Sequence, residues 1–144
     1  MPDLAALAER LEKATGPDRE LDADISVVLL GGEIQWKQTR FTGESYPARK
    51  YASRDHVGGF AVGPVELLTA SIDAALALVE KVLPGWSWQI GTYARVGISA
   101  QLAEPISTEY GPAIGQRADV KAPTAPLAIL IALLRTLSKG TDHD

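Results

Sequence analysis

Apolar residues recur along this chain in two rhythms, and the changes of rhythm mark its elements. Leu4, Leu7 and Leu11 fall at i, i+3 and i+7, so residues 3–14 read as a short amphipathic helix. Thr15-Gly16-Pro17 ends it. Pro17, pre-organised for a first helical position, is expected to open a second helix with the apolar stripe Leu21, Ile25, Val28 and Leu29. Asp18, Asp22 and Ser26 step by four along the opposite face. That face is expected to be solvated, its acids complementing the helix dipole. A cation shared by Asp18 and Asp22 is the competing reading, but no histidine or third ligand clusters with them.

Gly31-Gly32 stops this helix, and residues 31–66 hold no sustained helical period. They read as a long irregular arm, a kind of segment that is often functional. Ile34 and Trp36 alternate with polar neighbours and predict one short strand over 33–38, while Asp55-His56-Val57-Gly58-Gly59 carries turn chemistry. From Thr69 a helical period returns through Ile72, Leu76, Val79 and Leu83, with Thr69 as the expected N-cap and Pro84-Gly85 as the stop. Two period-2 runs follow. Trp86, Trp88, Ile90 and Thr92, then Val96, Ile98, Ala100 and Leu102, predict an antiparallel hairpin with one buried face. Residues 103–122, with Pro105, Gly111, Pro112 and Gly115, read as loop with a short strand near 117–121. Thr124 is expected to cap a last helix over 125–139, leaving at Gly140. Its Leu127, Ile129, Leu130, Ile131, Leu133, Leu134 and Leu137 make it apolar nearly all round, so it is buried on more than one side or forms a subunit interface.

The order helix–helix–arm–helix–strands–helix predicts an α+β fold in which a small antiparallel sheet of two to four strands packs between helices. At 144 residues the chain fits one domain. Within it, residues 1–30 are the N-terminal helices, 31–66 the arm and 67–140 a helix–hairpin–helix core. Cysteine is absent, which excludes disulfides, thiolate nucleophiles and Cys-ligated zinc. The longest apolar stretch, residues 126–134, is too short to span a bilayer, and the charged, helical start is unlike a secretory signal, so no membrane partner is expected. A formal net charge of −4 and a pI near 5.2 argue against a duplex-DNA binder. The charge is unevenly spread. Residues 1–33 hold eight acids against three bases, and residues 37–54 hold five bases against one acid.

Thr69-Ala70-Ser71-Ile72-Asp73-Ala74-Ala75-Leu76, Gly85-Trp86-Ser87-Trp88 and Ala125-Pro126-Leu127-Ala128 resemble segments of small phage and prophage proteins loosely grouped as phage ABA-sandwich domain proteins. Residues 9–25 also look like the opening of uncharacterised proteins from phages of proteobacteria. The resemblance implies a sheet sandwiched by helices and a phage setting, hence the cytoplasm of a bacterial host cell. It brings no catalytic residues with it.

Candidate chemistry is sparse. His56 stands near Ser53 and Asp55, but in a Gly-rich turn without a recognised nucleophile context, and His143 lies in a polar tail. No H-E-x-x-H or Walker loop occurs, and Gly58-Gly59-x-x-x-Gly63 lacks the Lys and helix of a phosphate loop. Glu104 with Glu109, or Glu33 with Glu44, could serve a carboxylate-dependent hydrolase. The arm says more. It interleaves Trp36, Phe41, Tyr46, Tyr51 and Phe60 with Lys37, Arg40, Arg49, Lys50 and Arg54. Aromatic faces stack bases and cations neutralise phosphate; alternatively, the aromatics anchor a long loop and the cations stay in water. The expected ligand-binding set is Trp36, Arg40, Tyr46, Arg49, Lys50, Tyr51 and Arg54. The expected function is that of a non-enzymatic accessory protein, without cofactor or metal, that binds a host protein or a nucleotide-like small molecule and counters host defence. A homo-oligomeric assembly protein joined through the C-terminal helix and a hydrolase are the alternatives.

Overall fold

The first helix, α1 (Leu4–Lys13), starts where the Asp3 carboxylate accepts from the Ala6 amide, and it buries Leu7, Ala8 and Leu11. The structure, a computed structural model, describes residues 3–55, 58–93, 97–108 and 111–141. The second helix, α2, spans Arg19–Leu30. Its N-cap is Asp18, whose carboxylate accepts from the Glu20 and Leu21 amides, so Pro17 lies outside the helix instead of opening it. Gly31, at φ 81°, ends α2.

The arm expected between α2 and the next helix is a sheet. Strands β1 (Glu33–Gln38), β2 (Ser45–Ala52) and β3 (Phe60–Pro64) form an antiparallel meander with β2 at its centre. Only β1 was expected from the alternation of Ile34 and Trp36. The buried positions of β2 and β3 are Pro47, Ala48 and Ala61, small or cyclic residues that leave no hydrophobic rhythm to read.

Helix α3 (Ile72–Val82) is capped by Ser71, whose side chain accepts from the Ala74 amide. Thr69, the expected cap, does other work described below. Its buried residues are Ala75, Leu78 and Val79, while Ile72 is 43 % exposed, so the covered face is rotated from the expected stripe. The helix also stops at Val82, before Pro84.

Strands β4 (Ser87–Tyr93), β5 (Gly97–Thr108) and β6 (Gly111–Ala122) form a second antiparallel meander. The β4–β5 pairing follows the expected hairpin, with Trp88 opposite Leu102 and Ile90 opposite Ala100. Its buried face is incomplete at the edge, because α4 lies on β5 and β6 and leaves Trp88 47 % exposed. Residues 103–108 and 111–122 are strand, not loop. They continue β5 and build β6, and Pro105 is accommodated at a register shift between Ala103 and Pro105. Pro112 sits on an edge strand, where a missing donor is tolerated.

The last helix, α4 (Ala125–Thr141), starts at Thr124, whose hydroxyl accepts from the Leu127 amide, and runs through Gly140. Leu127, Ile129, Leu130, Ile131, Leu133 and Leu134 are all at most 1 % exposed, covered by α1, α3, β5 and β6. Its apolar circumference is thus buried on several sides within one chain. The described residues form an α+β fold of two three-stranded antiparallel sheets packed between four helices, in place of one small sheet. Leu7, Leu21, Ile25, Leu68, Val79, Ala100, Val120 and Leu130 belong to a single hydrophobic cluster. Among the described residues no helix is long and apolar enough to cross a membrane.

The opposite face of α2 is not solvated. Asp22 is fully buried and Ser26 is 3 % exposed. Asp22 Oδ1 accepts from the Thr69 amide and from the Thr69 hydroxyl, each at 2.8 Å. Its Oδ2 lies 2.6 Å from Arg19 Nη1. The same guanidinium donates to the Val65 carbonyl at 2.7 Å and to the Glu66 carbonyl at 3.0 Å. The Asp18 amide in turn donates to Thr69 Oγ1 at 2.7 Å. A buried carboxylate needs several donors, and this clasp supplies them while fastening the β3–α3 connection to the start of α2.

Candidate functional site

Local chemistry decides which way the β1–β2–β3 sheet faces. Gly32, at φ 86°, lets the chain turn straight from α2 into β1, and a Cβ there would lie 2.3 Å from the Lys50 carbonyl oxygen. The pairing of Glu33 with Lys50, Ile34 with Arg49, Trp36 with Pro47 and Lys37 with Tyr46 follows. On the other side Lys50 pairs with Val62 and Ala52 with Phe60. Alternation then sorts every residue onto one of two faces. The inner face, toward α2, carries Ile34, Trp36, Pro47, Arg49, Tyr51 and Ala61. The outer face carries Lys37, Tyr46, Lys50, Phe60 and Val62, with Glu33 opposite Lys50.

The seven residues expected to share a ligand are divided by this arrangement. Tyr46 and Lys50 lie on the outer face, and Trp36, Arg49 and Tyr51 on the inner one. Arg40 and Arg54 are exposed in turns at opposite ends of β2, separated by on the order of 25 Å at strand rise. Arg49 is engaged structurally. Its guanidinium donates to the Gly31 carbonyl at 3.2 Å and stacks 4.2 Å from the centre of the Tyr51 ring, closing the C-terminal end of α2. Trp36 is half exposed in a cleft of about 300 Å³ that it shares with Glu20, Ala23, Asp24 and Ile34. Two carboxylates make that cleft unfavourable for phosphate. Asp24 is also paired to Arg10 at 2.6 Å.

The outer face keeps the combination the sequence suggested. Lys37 is exposed directly across from Tyr46. The Lys50 ammonium sits 4.8 Å from the centre of the Phe60 ring, which is 55 % exposed, and Val62 beside them is 47 % exposed. Lys37 and Phe60, left out of the expected set, belong with Tyr46 and Lys50. The signal that finds them is the period-2 spacing of Tyr46, Ala48 and Lys50, once residues 45–52 are taken as a strand. Phe41, 98 % exposed, and Arg40 extend the surface into the β1–β2 turn. That turn is closed by the Thr39 amide donating to the Glu44 carbonyl.

Other candidate chemistry fares less well. Glu33 and Glu44 are separated by the length of β1, roughly 17 Å, far beyond the spacing of a glycosidase pair. Gly58 and Gly59 lead into Gly63 on strand β3, with no helix to complete a phosphate loop. His56, Glu109 and His143 lie outside the described residues. Among the described residues no group of three or more His, Cys, Asp or Glu could hold a metal ion. No protein-family model, curated protein or solved structure matches this chain.

Proposed function

We propose that this is a non-enzymatic binding protein whose outer β1–β2–β3 face takes a nucleotide-type ligand, a planar base carrying phosphate. The observation that carries this reading is the doubled pairing of a lysine with an aromatic ring, Lys37 beside Tyr46 and Lys50 over Phe60, on an open sheet face. Rings offer a stacking surface to a base, and lysines attract phosphate as point charges. In the phage setting that the resemblance implies, the ligand belongs to the infected host and its capture blunts a defence.

Equilibrium binding tests the reading. A panel of mononucleotides, cyclic dinucleotides and short oligonucleotides should include a binder that the Lys37→Ala/Lys50→Ala double variant loses by about tenfold or more at low salt. Stability should stay within about 0.5 kcal/mol per substitution, since both side chains are on the surface. Binding unaffected by the double variant, or no binder in the panel, contradicts the proposal.

A further inference from the structure

The two lysine–aromatic pairs are far apart, and their separation selects among nucleotide-type ligands. Phe60 stands opposite Ala52, six residues along β2 from Tyr46. At the rise of an antiparallel strand this places the two rings roughly 20 Å from each other, diagonally across the same face. No mononucleotide reaches both. Lys50 lies between them, two residues along β2 from the level of Phe60, and Lys37 flanks Tyr46. Arg40 and Arg54 are exposed in the turns at the two ends of β2. Cations and rings thus recur on one face near both ends of β2, with the buried Ala48 between Tyr46 and Lys50. A curled small molecule needs convergent groups around a pocket; an extended chain with a phosphate and a base at each step needs a line of this kind.

We infer that the outer face of the β1–β2–β3 sheet is a track for single-stranded nucleic acid about four nucleotides long, stacked on Tyr46 at one end and on Phe60 at the other. This rests on the nucleotide-type reading above and narrows it. The occupant follows from charge and ring spacing together. Duplexes keep their bases stacked inside and leave the rings unused. Glu33, the acid opposite Lys50 on this face, opposes phosphate, so neutralising it should tighten binding.

The test is a calorimetric length series on the full chain at low salt: thymidine monophosphate, then oligothymidylates of two, four and eight residues, and an eight-base-pair duplex. Affinity should rise at least about tenfold from the monophosphate to the four-residue strand and change little beyond it. Tyr46→Ala and Phe60→Leu should each weaken the four-residue strand by about tenfold. The leucine keeps the apolar packing, so a loss there reports stacking and not misfolding. Glu33→Gln should tighten it a few-fold. Thymidine monophosphate binding as tightly as the four-residue strand overturns the track and leaves the nucleotide-type reading standing. So does dependence on only one of the two rings, or equal affinity for the duplex. No binding by any of these probes overturns the track, and if the wider nucleotide panel is silent too, both proposals fall.

Discussion

The two sheets have the same number of strands, strand order and sense, yet one is a wall of the core and the other keeps a face in water. The β4–β5–β6 sheet meets α4, a helix apolar nearly all round, and contributes Ala100, Leu102, Ala118, Val120 and Ala122 to the core cluster. The β1–β2–β3 sheet meets α2, which spends Leu21 and Ile25 on that same cluster and packs on the sheet's inner face, where the buried residues are the small or cyclic Pro47 and Ala61. Topology therefore does not decide what a sheet can do. The apolar circumference of the helix beside it does, and the face left uncovered is where a ligand has room.

The comparison can be broken by substitution. The largest effect is expected in α4, where Leu130→Ala should cost about 2–5 kcal/mol in chemical denaturation, because the side chain is fully buried. Next comes the clasp between α2 and the β3–α3 connection. Asp22→Ala removes the acceptor of the Thr69 amide and one acceptor each of the Thr69 hydroxyl and the Arg19 guanidinium, a loss of about 2–4 kcal/mol. Asp22→Asn, which keeps an acceptor oxygen, should cost distinctly less. Thr124→Ala removes the α4 cap and should cost about 1 kcal/mol. Lys50→Ala should change stability by no more than about 0.5 kcal/mol while weakening oligonucleotide binding. If Lys50→Ala destabilises the chain as much as Leu130→Ala, the two sheets are not energetically distinct.

These differences explain which parts of the fold could be read from the chain. The helices α1 and α4 were legible because their burial is carried by large side chains at helical spacing, Leu4, Leu7 and Leu11 or the leucines and isoleucines after Thr124. The β4–β5 hairpin was legible from its period of two. Strands β2, β3 and most of β6 were not. Their prolines and glycines resemble loop chemistry, and in β2 and β3 the buried positions are alanine and proline, too small to register as hydrophobic alternation. The burial of Asp22 was hidden for a different reason. Its partners Thr69, Val65 and Glu66 come from a distant turn, so nothing local distinguishes it from an acid on a wet helix face. The aromatic and basic content of residues 31–66 was legible, but its division between two faces follows only from the register of β1 on β2.

The most direct test of the account is a two-dimensional amide NMR titration of the labelled protein with the four-residue oligothymidylate. Lys37, Tyr46, Lys50, Phe60 and Val62 should shift together, while β5, β6 and α4 stay still. Shifts concentrated on the β4–β5–β6 sheet, or none anywhere at saturating strand concentration, would contradict the claim that the uncovered sheet is the binding surface.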